Sequence, residues 1–128
     1  MREETLSLAS ATLAEDVILC KHILDVSEAL QALRDNDWQV RMAAAMALEE
    51  IGPRAAVAVP DLIQTLERDR REEVRRAAAE ALGSIKPTAL EAISVLTRAL
   101  DDQSAYVRWA AAKALNAITE RKLRERQQ

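Results

Sequence analysis

The sequence has no phenylalanine, two glycines and three prolines, and aromatic residues make up 2% of it. So few turn residues cannot serve a turn-rich β-protein. The single cysteine, Cys20, excludes an intramolecular disulfide and agrees with a reducing compartment. The single histidine, His22, has no second imidazole with which to share a metal. A net charge of −3, with charged residues of both signs at 30%, lacks the global basic excess of a nucleic-acid binder. No long apolar run follows Met1-Arg2-Glu3-Glu4-Thr5. The expectation is therefore a cytoplasmic protein with neither secretory signal nor membrane span. There is no Gly-rich phosphate loop, nucleophile elbow or metal-ligand cluster, so neither catalysis nor a cofactor is expected.

What the sequence does have is aliphatic mass. Hydrophobic residues reach 49%, nearly all Ala, Leu, Val and Ile, in 128 residues. That length fits one domain, and Ala and Leu favour helix, which points to an all-α fold. One stretch, Val74-Arg75-Arg76-Ala77-Ala78-Ala79-Glu80-Ala81-Leu82-Gly83-Ser84-Ile85, has counterparts at Val40–Ile51 and Val107–Ile118. The leading valines stand 34 and 33 residues apart, a period that marks a repeat array. On a helix, Val74, Ala77, Ala78, Ala81, Leu82 and Ile85 form one apolar stripe, and the other two copies fill the same offsets. Its alanine-rich centre lets helix axes approach closely.

Glu4 to Leu24 reads as a helix, with Cys20 a small core residue on its stripe and His22 at a surface or cap position. Ser27 is expected to cap a short helix, Glu28 to Arg34, with Leu30 and Leu33 inward. A turn at Asp35-Asn36-Asp37 leads into the first copy, which Gly52-Pro53 ends. Ala55 to Glu67 forms the next helix, with Val59, Leu62, Ile63 and Leu66 inward; Pro60 marks either a helix start at Val59 or a kink. Arg68 to Arg71 turns the chain into the second copy. Thr88 to Leu100 is a helix with Leu90, Ile93, Leu96 and Leu100 inward, and Ser104 caps the third copy, which runs on through Leu123. The divisions are a cap or degenerate repeat at 1–25, then repeats at 26–52, 53–86 and 87–128, the last with an extension.

Asp35, Asp69 and Asp102 each precede the leading Val by five residues, and Arg41, Arg75 and Arg108 each follow it by one. The Asp can cap the helix, where the dipole favours negative charge. The Arg can reach an Asp of its own or the adjacent repeat. A stacking ladder is preferred here to a phosphate site. The pattern Asp-x-x-x-x-Val-Arg-x-Ala-Ala-x-x-Ala-Leu-x-x-Ile, over roughly Ser27 to Ile118, resembles HEAT repeats, most closely the HEAT-like variety seen in phycobilisome lyases. The resemblance implies an α-solenoid, a right-handed superhelix of about three helix pairs, here with an N-terminal capping helix. It also implies that the Val-Arg helices line the concave side, an Asp–Arg ladder, and the binding of macromolecules. The paired His-Glu motifs of HEAT-like hydroxylases are absent.

Function should then lie off the stripe, where the copies differ. Trp38, Met42, Met46 and Glu49 come from the first copy, Glu72, Arg76, Glu80 and Gly83 from the second, and Ala105, Trp109, Lys113 and Asn116 from the third. Exposed Trp, Met and Arg are enriched in hot spots. This points to a non-catalytic scaffold that binds a protein or peptide through Trp38, Met42, Met46, Arg76, Glu80, Trp109 and Lys113. The competing reading buries Trp38 and Trp109 under the N-terminal helix or the C-terminal tail. Arg68, Arg70, Arg71, Arg75 and Arg76 form a basic cluster, interleaved with Asp69, Glu72 and Glu73. That describes a self-compensated turn better than a nucleic-acid patch. Two alternatives stay open: a bilin-lyase-related or phycobilisome-associated protein, and a structural element that forms a homo-oligomer through its array ends.

Overall fold

Each Val-Arg stretch folds as the second helix of a hairpin, because its stripe has a first helix on one side and a neighbouring repeat on the other. The computed structural model describes residues 25–86 and 90–127, and for Arg121 the backbone alone. The helix expected over Glu4–Leu24, with Cys20 and His22, lies outside the described residues. The described helices are α1 (Val26–Ala32), α2 (Trp38–Ile51), α3 (Val59–Arg68), α4 (Glu72–Ile85), α5 (Leu90–Ala99) and α6 (Ala105–Gln127). The second helices form one layer, with α2 against α4 and α4 against α6. In the other layer α1 covers α2, α3 covers α4 and α5 covers α6. No strand occurs among the described residues. The fold is an all-α stack of helical repeats.

Local chemistry sets the helix ends. Asp25, rather than Ser27, caps α1, and its side chain accepts the Ser27 N–H at 3.0 Å. Asp37 caps α2 through the Gln39 N–H. Ser104 Oγ receives the Val107 N–H in the first turn of α6. Gly52 ends α2 at φ +72°, a conformation that strains any residue with a Cβ. A 3₁₀ segment, Gly52–Ala58, then bridges to α3. Pro60 sits in the first turn of α3, where its missing N–H costs no intrahelical bond. The long helix expected from Ala55 is thus two pieces, and the break precedes Pro60. Leu82 O, near the end of α4, receives the Lys86 N–H, and Lys86 adopts the left-handed conformation.

The stripes are buried: Val74, Ala78, Ala81 and Leu82 are fully enclosed, as are Ala44, Leu48, Val107 and Ala111. Leu33, Val59, Leu62 and Leu66 close the core from the first helices, with Leu30 and Ile63 packed at its edge. In α5 the inward residues are Ala92, Val95, Leu96 and Ala99. Leu90 is 77% exposed and Leu100, beyond the helix end, is 37% exposed, contrary to expectation. The expected stripe took the leucines, whereas the helical spacing i, i+3, i+4, i+7 that fits the core starts at Ala92. Ala45 and Ala79, off the stripe, are also fully buried. They form a second buried edge on these helices.

The turn aspartates do not cap the helices. Asp35, Asp69 and Asp102 each accept, through Oδ1, the N–H two residues on: Asp37 at 2.8 Å, Arg71 at 3.0 Å and Ser104 at 2.9 Å. They shape the turn, and the helix begins after it. Two of these carboxylates, Asp69 and Asp102, also receive an arginine from the preceding repeat. Arg41 donates Nε–H to Asp69 Oδ2 at 2.7 Å and Nη2–H to Oδ1 at 3.1 Å. Arg75 makes the same fork to Asp102 at 2.9 and 3.0 Å. The remaining nitrogen of each arginine ties its own turn. Arg41 Nη1 donates to the Asp35 and Asn36 carbonyls, Arg75 Nη1 to those of Asp69 and Arg70, and Arg108 Nη1 to those of Asp102 and Gln103. Hydrogen bonding to the aspartate raises Arg41 and Arg75 above the ordinary arginine value, against the opposing effect of burial.

Burial pushes the Asp102 carboxyl up, but the Arg75 hydrogen bond, the Ser104 N–H and the charges of Arg75 and Arg108 outweigh it. The net result is a carboxyl held below its usual value. Such a group stabilises the fold above its unfolded pKa and loses that contribution as pH falls through the folded one. Wild type should therefore exceed Asp102→Asn in stability at neutral pH, and the gap should shrink below about pH 4. Urea titrations of both proteins across that range test this, and a gap independent of pH would contradict it.

Candidate partner-binding face

The face of α2, α4 and α6 that points away from the first helices carries the residues that differ between copies. At its α2 end Trp38, Met42 and Met46 are half-buried, and both methionines pack against the core edge. The guanidinium of Arg71, from the turn before α4, lies 4.0 Å from the Trp38 ring centroid, and Arg71 also pairs with Glu73 at 3.3 Å. Trp38 is thus covered on one side by the following repeat. In the middle, Arg76 and Glu80 form an i,i+4 pair at 3.6 Å. Arg76 also stands 5.9 Å from the centroid of Tyr106 on α6. At the α6 end Trp109 is 57% exposed, with the Lys113 ammonium 4.2 Å from its ring. The described C-terminal residues continue α6 to Gln127 and leave Trp109 exposed.

A cleft of about 190 Å³ opens between α2, α4 and α6, lined by Glu49, Glu80, Gly83, Ser84, Lys113 and Ala117 among others. Its carboxylates sit between two cations. Burial first, and then the charge of Glu80, push the Glu49 carboxyl up, while Lys113 and Arg76 draw it down; the net shift is upward. Ser84 Oγ donates to the Glu49 carbonyl at 2.6 Å and joins the ends of α4 and α2. Gly83 is buried rather than open to the groove: a Cβ there would stand 2.9 Å from both Cα and Cβ of Ala114. Glycine is what allows α4 and α6 to touch at the floor of the cleft.

The basic cluster is dispersed. Arg71 covers Trp38, Arg75 holds Asp102 and Arg76 pairs with Glu80, while Arg68, at the end of α3, and Arg70, in the turn, are exposed. One participant and one contact on this face were not singled out in the sequence. Tyr106, 65% exposed, is signalled only by its place just before Val107. The contact of Arg71 with Trp38 spans two repeats and has no local signal.

A family model for HEAT repeats matches residues 59–126, and a second, for the HEAT repeat, matches residues 26–55. The chain belongs to the HEAT-repeat family. HEAT repeats are generally protein-interaction scaffolds. Both matches are to the general repeat, and neither carries the phycobilisome-lyase subtype. No curated protein matches the chain. No described helix of this HEAT-repeat protein is long and apolar enough to cross a membrane.

Proposed function

We propose that this HEAT-repeat chain is a non-catalytic scaffold that binds a protein or peptide segment along the free face of α2, α4 and α6, the concave side of such arrays. The carrying observation is the exposed Trp109, beside a cleft and within a strip whose residues change from copy to copy. The surrounding scaffold positions are nearly the same in all three copies. Half-buried Met42 and Met46 offer adaptable apolar contact at one end, and the Lys113–Trp109 pair offers an aromatic anchor at the other. The mixed charges between them suit a partner with alternating polarity rather than a uniformly charged polymer.

The test uses wild type and Trp109→Ala as paired baits, followed by calorimetry on a partner that wild type retains. Trp109→Ala and Met42→Glu should each weaken binding about tenfold or more, the range of hot-spot truncations. Unchanged affinity in both folded variants would remove this face as the binding site.

A further inference from the structure

The free face of α2, α4 and α6 has a sense along its helices. The three helices run the same way, since the Arg41–Asp69 and Arg75–Asp102 forks repeat one contact from repeat to repeat. Residues two and six after each leading Val therefore form two parallel rows across the face. Met42, Arg76 and Trp109 make the row nearer the helix starts, and Met46, Glu80 and Lys113 the row nearer the helix ends. Two further acids stand at the start of α4, but each is taken up locally: Glu72 accepts the Ser104 hydroxyl and Glu73 pairs with Arg71. The central pair, Arg76 and Glu80, keeps capacity for a partner. It is loose at 3.6 Å, and both side chains are partly exposed. Trp109 is likewise exposed on the side that Lys113 leaves open.

We propose that this face pairs with a second copy of the chain, across a two-fold axis that lies in the interface and crosses the three helices between the two rows. The rotation reverses the helix sense, so each residue of one row meets the other row of the same helix in the second copy. Arg76 meets Glu80, Trp109 meets Lys113, and Met42 meets Met46. Each contact is made twice, as a two-fold interface requires. All three are favourable: opposite charges, a cation on an indole, and adaptable thioethers on one another. The alternative axis, along α4, sets Arg76 against Arg76 and Glu80 against Glu80, and like charges in register oppose association. The middle helix supplies the long charged groups and the outer helices the apolar and aromatic ones, which puts the apolar contacts at the rims of a concave face. This inference names an occupant for the face assigned above to a protein partner, and it rests on that reading.

Sedimentation equilibrium of the full chain up to about 500 µM should show a monomer–dimer equilibrium, since association weaker than that is not a specific joint. Arg76→Glu and Glu80→Arg should each weaken it about tenfold or more, because each sets like charges against one another twice. Mixed in equal amounts, the two variants should form a heterodimer about as tight as the wild-type dimer, because one copy then presents only carboxylates at the centre of the face and the other only guanidiniums. Trp109→Ala should weaken the wild-type dimer to a similar degree, with circular dichroism unchanged. A monomer at every concentration would overturn the proposal. So would a mixture no more associated than its components, or a dimer that Arg76→Glu leaves intact, since the copies would then meet elsewhere. A chain that stays monomeric yet holds a different protein through Trp109 would overturn this inference and leave the scaffold reading standing.

Discussion

Asp69→Ala should destabilise the protein by about 3 kcal/mol, the low end for breaking a largely buried ion pair from one side. Several interactions fail together. The Arg41 fork loses both acceptors, and the Arg71 N–H loses the carboxylate that shapes the turn. The side chains of Arg41 and Asp69 are 19% and 7% exposed, so water replaces little of what is lost. The contrast is the Arg98–Glu67 pair, which is shorter at 2.6 Å but whose side chains are 65% and 37% exposed. Removing Glu67 should cost at most about 1 kcal/mol, because an exposed pair exchanges its partner for water and gains little from proximity. Burial rather than distance sets the order of the two effects. The Asp69 variant should also differ in kind. Its carboxylate ties the first repeat to the second, and repeat arrays hold together through nearest-neighbour terms. Urea unfolding should therefore show a lower midpoint together with a shallower slope, as the first hairpin uncouples. A midpoint within error of wild type would show that the ladder contributes no stability. Arg41→Lys is the informative companion: charge is kept and the fork is lost, so most of the destabilisation should remain.

The periodicity made the repeat architecture legible before any coordinates, because a stripe of Val, Ala, Leu and Ile at fixed offsets has few folded solutions other than helices stacked on helices. The ladder partners were legible only as residue types at fixed spacing. Whether Arg41 would take Asp35 or Asp69 depends on how far one repeat is shifted against the next, and spacing within a repeat does not carry that quantity. Helix capping was assigned to the turn aspartates because Asx turns and N-caps use the same side chains two residues apart. Ser104 was read as a cap and does receive the Val107 N–H, whereas Asp37, which caps α2, was read only as part of the turn. Leu90 and Leu100 were placed inward as large apolar residues, whereas the buried positions of α5 include the smaller Ala92 and Ala99. The second buried edge was visible as an alanine shared by all three copies, Ala45, Ala79 and Ala112, but a helix wheel drawn for one helix has no place for a second neighbour. On the free face, Trp109 and Lys113 are neighbours on one helix and therefore readable. Arg71 over Trp38 joins residues from different repeats and was not.

Gly83→Val should cost about 3 kcal/mol, more than any exposed substitution on the same helix. A glycine in a helix interior is itself unfavourable, so its replacement would stabilise α4 by about 1 kcal/mol or less if space allowed. Space does not allow it. The first added carbon would stand 2.9 Å from the Cα and Cβ of Ala114, well inside ordinary contact, and both atoms are fixed to the α6 backbone. No flexible side-chain tip can retreat, so α6 must move, and overpacking of this sort costs about 1–3 kcal/mol per site. Valine adds two further methyls and gives back little helix propensity, so the strain dominates. Gly83→Ala sets the clash against the propensity gain and should cost about 1 kcal/mol. Ala114→Gly in the valine background should recover only part of the loss, because it removes the Cβ contact and leaves the Cα one. Thermal denaturation of the four proteins gives the order directly. The displacement has a second consequence, since Gly83 lies at the floor of the cleft between Glu49, Glu80 and Lys113. If α6 shifts outward, Lys113 and Trp109 move with it away from the α2 end of the face. A partner that spans both ends should then bind Gly83→Val more weakly than wild type under conditions where both are folded. Equal affinity would mean that the partner uses one end alone.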